Sequence, residues 1–331
     1  MKKKSIFILL ITVFILGLIF YKINFAQLIL TFKHFNFNHI PLIVFLYILT
    51  LFIRGIRWKA LLVNDNKYSP IHLAEVFTVG SMLNSFLPAR AGDLYRAYYL
   101  GSIKGENKVK VLGSVILERL MDGVAVFFIL LATVLLFCKK TWIIKFTYFT
   151  GAIFVGTLVV FYLVFKFNKI DSIAQNIISL LKNIPEKISS NLSVFITKSA
   201  QFLNSFLDGF EALNDLKCVV IAITSSFAIW LLEAYISYLI VNSFNFGLGI
   251  SAGLFVMCLT SFSTVIPSAS VFLGPYQYAY IIALGLFDVS KSSALAVSTV
   301  QQAIFMLILT VLGCYYFVKF NISLKDIQDN Q

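Results

Sequence analysis

Asn84-Ser85-Phe86-Leu87-Pro88-Ala89-Arg90-Ala91-Gly92-Asp93-Leu94-Tyr95-Arg96 is the stretch on which the fold turns, because it is the densest polar run set inside apolar sequence. It breaks the region Ile71 to Leu100 into two short apolar pieces. Each piece is about 15–18 residues, marginal against the roughly 20 that a helix needs to cross hydrocarbon. Pro88 and Gly92 also free backbone groups that lipid cannot satisfy. Re-entrant half-helices buried within protein meet both constraints, and two thin full spans would return the chain to the same side.

A second region of this kind runs from Ile250 to Phe287, broken at Ile266-Pro267 and Gly274-Pro275. Around the two breaks lie long stretches without Asp, Glu, Lys or Arg: Ser5 to Tyr21, His34 to Ile53, Phe146 to Phe165, Ala234 to Phe287 and Ser292 to Val318. The whole chain is 59% hydrophobic and 13% charged, far more apolar than a soluble domain. We expect full spans near 5–22, 40–62, 110–137, 146–166, 218–243 and 291–318. The fold class that follows is all-α: a polytopic membrane helix bundle of six full spans and two proline-broken re-entrant pairs, forming a single integral domain over 1–331.

Placing Gly92 over Gly274 aligns residues 40–137 with 218–318: a span, a short piece, a break, a second piece and a closing helix. Three full spans separate the two starts, so the halves have opposite orientation, as in the inverted repeats of transporters. Chance agreement of helix lengths remains the competing explanation. Residues 168–217 are the one polar stretch of domain-like length. Their apolar residues recur at helical spacing on either side of Pro185, as in two amphipathic helices at the cytoplasmic interface.

The net charge is +12, yet the Lys and Arg residues sit at the ends of apolar spans rather than on one face, so nucleic acid is not an expected partner. Lys2-Lys3-Lys4 before Ser5 to Tyr21 reads as an uncleaved first helix with its amino terminus inside. From that start nineteen Lys and Arg residues fall on the cytoplasmic side and six outside, with Arg90 and Arg119 left within the bundle. This asymmetry sets both termini in the cytoplasm of a cell-membrane protein. In that tally Arg54, Arg57 and Arg96 are cytoplasmic.

Charged residues at membrane depth are costly and are candidates for function. Glu118, Arg119 and Asp122 lie inside the span that starts near Lys110, with Arg119 and Asp122 spaced to pair along the helix. Glu118 then needs an outside partner, for which Arg90 and Arg96 are the candidates. A network that only pins helices together is an alternative. Arg90 beside the half-helix amides of Gly92 and Asp93 suits a phosphate or carboxylate, whereas a tight turn would place Arg90 and Arg96 among headgroups. Arg54-Gly55-Ile56-Arg57-Trp58-Lys59 reads first as an interfacial anchor and second as a headgroup-recognition element. The second half offers neutral groups at its break, among them Gln277 and Gln301, and Glu233 is the lone acid of the fifth span.

The histidines and the four singly placed cysteines match no ligand spacing, and no nucleophile and base pair or phosphate loop is present. We therefore expect no metal, no cofactor and no covalent catalysis.

The ordered set Arg54-x-x-Arg57-Trp58-x-x-Leu61-Leu62, Asn84-x-x-Leu87-Pro88-x-Arg90-x-Gly92-Asp93-x-x-Arg96 and Glu118-Arg119-x-x-Asp122, with Pro267 and Gly274 further on, resembles the membrane region of lysylphosphatidylglycerol synthases, the flippase-like domain family. Two positions depart from that pattern: Asp93 stands where the family usually has Glu, and Gln277 where it usually has an acid. The resemblance implies a protein that handles an anionic phospholipid or a polyprenyl-phosphate-linked lipid by moving it between leaflets. The chain ends at Gln331 without the aminoacyl-transferase domain of the full-length synthases, so aminoacylation by it alone is not expected. Two alternatives stand beside transport: a membrane-embedded subunit of a lipid-linked glycosyl or phosphoryl transferase, and a non-catalytic partner of a lipid-modifying enzyme. A partner enzyme and a homo-oligomer both remain open.

Overall fold

The computed structural model of the chain describes residues 30–33, 35–63, 67–87, 90–138, 140–167, 170–180, 186–264 and 274–320. The expected first span near 5–22 and the two break prolines, Pro88 and Pro267, lie outside the described residues. Among the described residues every regular element is helical.

Local chemistry marks where most of the helices begin. Helix α1 (Ile40–Leu61) carries a proline in its first turn, where the missing N–H is not needed. Helix α2 (Pro70–Phe86) also starts on proline, and the Ser69 side chain accepts the His72 N–H. Helix α3 (Ala91–Tyr98) follows the first break and runs into a π-helical turn at Tyr99–Ile103. Asn107 caps α4 (Lys108–Phe137) by accepting from Val109 and Lys110 at 2.9 and 3.2 Å. Then come α5 (Thr141–Phe167), α6 (Ile170–Leu180) and α7 (Glu186–Asp208). Asp215 caps α8 (Leu216–Asn242). Helices α9 (Ile250–Ser263) and α10 (Pro275–Gly285) flank the second break, and Ser290 caps α11 (Lys291–Lys319).

By length and composition α1, α4, α8 and α11 can each cross a membrane, and α5 covers the apolar stretch expected at 146–166. Large apolar side chains such as Phe45, Phe128, Leu136, Phe149, Val160 and Val311 stand exposed around the bundle. In water that surface would drive aggregation; in lipid it is the natural exterior.

Helices α1 and α8 pack along one another at the centre. On α1 lies α2, then α3, then α4; on α8 lies α9, then α10, then α11. The quartets also exchange contacts, since α2 packs on α11 and α9 on α4. Small residues bring the backbones together at matching places: Gly55 of α1 lies against Pro70 and Ala74 of α2, and Gly253 of α9 against Ala234 and Tyr238 of α8. The end of α7 meets α4 where Gly209 and Gly113 face each other. Elsewhere α6 and α7 keep apolar side chains such as Ile173, Leu180, Phe195 and Phe202 exposed, as an interfacial pair does.

The closest approach joins α2 to α3. A Cβ on Gly92 would collide with the Gly80 carbonyl, so the break can fold back on its own helix only with glycine there. Gly92→Ala should therefore destabilise the detergent-solubilised protein by about 2 kcal/mol or more, in the range of core overpacking. Gly285→Ala, which meets nothing nearby, should stay within about 0.5 kcal/mol. Tryptophan fluorescence during thermal unfolding compares the two.

Candidate functional site

Five arginines and four carboxylates converge between α1, α3, α4 and α8. Helical spacing aligns them: Arg54, Arg57 and Trp58 share one face of α1, Glu118 and Asp122 one face of α4, and Ser226, Trp230 and Glu233 one stripe of α8. Arg57 sits at the middle with no exposed surface. Its Nη1 donates to Asp122 Oδ1 at 2.5 Å and Ser226 Oγ at 2.9 Å, and its Nη2 to Glu118 Oε1 at 2.9 Å and Asp122 Oδ2 at 3.2 Å. The other Glu118 oxygen accepts from Arg96 at 2.6 Å. The Arg96 guanidinium lies 3.9 Å from the Trp58 ring centre and 4.8 Å from that of Phe77, which offsets the missing partners on its Nε and Nη1. Trp58 is itself fixed by its N–H to Ser114 Oγ at 3.2 Å.

Three further groups close the network. Trp230 donates its indole N–H to Asp122 at 2.7 Å. Arg54 donates to Glu233 at 3.3 Å and lies 3.9 Å from Asp122. Arg119 donates to Asp93 at 3.0 Å and lies 4.0 Å from Asp122. Asn84 works in both directions, donating to Asp93 at 3.0 Å and accepting the Gly92 N–H at 2.8 Å. Arg90 stands in the left-handed backbone region, with φ at 55°, and reaches across to the Thr264 carbonyl and hydroxyl at 3.1 and 3.2 Å. A guanidinium from the first break thus caps the carboxyl end of α9 at the second.

The second half forms a neutral counterpart. Gln277 accepts the Gly274 N–H at 2.8 Å and donates to Gln302 at 2.6 Å. Gln301 accepts from the Tyr280 hydroxyl and donates to Ser237 Oγ at 3.1 Å. Ser237 is one turn beyond Glu233 on α8, so one helix face touches both networks.

Several expectations change. Arg54, Arg57 and Arg96 are buried in the bundle and not among headgroups, because Glu118, Asp122 and Glu233 face them from α4 and α8. Removing these three from the cytoplasmic tally leaves its asymmetry in place. Arg119 takes Asp93 of α3 as its close partner, with Asp122 of its own helix only at the edge of reach. Arg57 and Arg96 partner Glu118, and Arg90 does not. Ser226, Trp230 and Thr264 had no place in the motif reading; the i, i+4, i+7 stripe ending on Glu233 was the signal for the first two. The accessible rim is formed by Arg119, whose side chain is 29% exposed, and by the partly exposed Arg90. Five positive and four negative groups leave one positive charge over, so the arrangement favours an anion, and its guanidinium forks suit phosphate or carboxylate oxygens.

Residues 5–313 match the sequence model of the lysylphosphatidylglycerol synthase TM region. A UPF0104 membrane protein of Methanocaldococcus jannaschii is 28% identical over 242 residues, covering 72% of this chain and 95% of the relative. No solved structure matches.

Removing one member of a buried charge pair strands the other. Arg57→Ala should cost about 3–5 kcal/mol by leaving Glu118 and Asp122 short of a cation, and Arg57→Lys less, since it keeps charge but loses the fork. Lys67→Ala, at the exposed Lys67–Glu106 pair, should cost at most about 1 kcal/mol. Chemical unfolding of the three variants in detergent ranks them.

Proposed function

We infer the function from two premises: the chain belongs to the lysylphosphatidylglycerol synthase TM region family, and it carries a positively biased charge network inside an apolar bundle. It is a membrane protein, and the reading we put forward is a lipid-handling transporter of the cell membrane. In this reading the phosphate of an anionic phospholipid or of a polyprenyl-phosphate carrier meets Arg90 and Arg119 at the rim. Arg57 and Arg96, locked by Glu118 and Asp122, hold the wall behind them. Asn84 and Asp93 fix the angle of the Arg119 side chain, and Gln277 and Gln301 line the opposite, uncharged side.

The observation that carries this reading is the rim itself: two partly exposed arginines that give the network its one surplus positive charge. Burying four carboxylates and three guanidinium groups in a bundle is expensive, and a structural clamp does not need an open cationic edge. The exchanged packing of the two quartets supports an inverted repeat of 40–137 and 218–318 around the site, and the charge asymmetry of the sequence supports termini on the cytoplasmic side. The 168–217 segment then lies along the cytoplasmic interface. Among the described residues the carboxylates of the network are engaged by arginines and no nucleophile and base pair stands in it, which favours transport over group transfer.

Vesicles reconstituted with the protein should equilibrate fluorescent phosphatidylglycerol, or a polyprenyl phosphate, between leaflets well above the protein-free rate. Arg119→Ala should lower that rate by about tenfold, the loss of one charge-assisted contact of roughly 1.4 kcal/mol. An unchanged leaflet distribution of both lipids in the presence of wild-type protein would sink the reading.

A further inference from the structure

One buried acid of the network, Glu233, is held among the described residues by a single long contact to Arg54. We propose that Glu233 is a proton-binding site coupled to the anion site, so that one proton enters the network with each lipid phosphate. The inference rests on the lipid-handling reading above and names its coupling ion.

The acids of the network differ in how firmly they are held as carboxylates. Both oxygens of Glu118 are engaged, by Arg57 at 2.9 Å and Arg96 at 2.6 Å. Asp122 receives Arg57 at 2.5 and 3.2 Å and Trp230 at 2.7 Å. Asp93 receives Arg119 and Asn84, each at 3.0 Å. Each of these three carboxylates accepts at least two hydrogen bonds, which favour its charged form. Glu233 receives one hydrogen bond among the described residues, from Arg54 at 3.3 Å, and Arg54 is shared with Asp122. With that one long, shared bond, Glu233 is the acid of the four least held as a carboxylate.

The surroundings of Glu233 tell the same story. From α1 it is faced by Arg54 and Tyr47, from α4 by Asp122, and from α10 by Tyr276 and Tyr280. Helix α9 carries no charged residue, and its Cys258 thiol points at the Val126 carbonyl. Helix α11 is charged only at its two ends. Glu211, in the turn packed at the start of α8, is engaged with Lys110 and lies 22 residues from Glu233. Among the described residues one shared arginine is therefore its cationic partner. Its side chain retains 12% of its exposure.

Charge balance supplies the coupling. With four carboxylates ionised the nine groups sum to one positive charge; with Glu233 neutral they sum to two. An arriving phosphodiester is attracted more strongly to the second state, and by reciprocity its arrival draws the proton onto Glu233. When the lipid leaves, the proton is released. For one proton taken up per anion, lipid affinity rises as pH falls, by up to about tenfold per pH unit.

Short-chain phosphatidylglycerol titrated into the detergent-solubilised protein from pH 5 to 8, read by tryptophan fluorescence, tests this. The phosphodiester stays ionised over that range, unlike a phosphate monoester with its second pKa near 6. Wild type should bind more tightly as pH falls, approaching tenfold per unit. Glu233→Gln, locked in the neutral form, should bind tightly with no pH dependence. In weakly buffered solution a pH dye should report about one proton taken up per lipid by wild type and none by the variant. Wild-type binding without pH dependence or proton uptake overturns the inference and leaves the lipid reading standing. Uptake that persists in Glu233→Gln overturns the assignment to Glu233. Failure of wild type to bind phosphatidylglycerol at any pH removes the phospholipid form of the lipid reading and this inference with it. Absence of proton uptake by wild type overturns the inference even if the variant does not fold.

Discussion

Arg57 holds three helices to one another through a single planar group. Its two terminal nitrogens divide between Asp122, Glu118 and Ser226, so α1, α4 and α8 meet at one guanidinium with no exposed surface. In lipid the hydrophobic effect does not favour one helix pairing over another, because the tails are as apolar as leucine. Specific contacts must therefore choose the partners. Glycine-lined approaches set how near the helices come, and the arginine sets which helices they are and at what height. The Arg96 guanidinium stacked between Trp58 and Phe77 extends the same constraint to α2 and α3.

The two breaks solve one problem with different chemistry. At each, a glycine N–H freed by the interruption is accepted by a side-chain amide: Asn84 for Gly92 and Gln277 for Gly274. Backbone at membrane depth is tolerated where protein satisfies it. From there the halves diverge, since Asn84 hands on to Asp93 and the arginines, whereas Gln277 hands on to Gln302. Helix α8 faces both, through Glu233 and Ser237.

The architecture was readable because charge-free runs and helix ends are one-dimensional signals. The spans near 40–62, 110–137, 218–243 and 291–318 correspond to α1, α4, α8 and α11 within a few residues. Aligning Gly92 with Gly274 picked out the two amides that need capping. The motif residues Glu118, Asp122, Arg96 and Arg57 do gather, yet their pairing was only partly visible. Arg54 and Arg57 stand in the last two turns of an apolar helix, where arginines commonly snorkel to water, and sequence position does not say that a carboxylate 61 residues later lies opposite. Ser226 and Trp230 belong to no motif, and their role depends on how α8 is rotated about its axis. Periodicity limits that rotation without fixing it.

The sequence separations in the network have a bearing on biosynthesis. Arg57 meets Asp122 across 65 residues, and Arg54 meets Glu233 across 179. At roughly 5–20 residues synthesised per second, α1 waits about 3–13 s for its first counter-charge and about 9–36 s for its last. During that interval two arginines in an otherwise apolar segment have no carboxylate to oppose them, so α1 must rest with its basic end at the headgroups. It sinks to its final depth only as α4 and then α8 arrive. The same charges that seat the finished bundle thus impose an order of arrival on its helices, and the ribosome sets the pace at which the membrane can accept them.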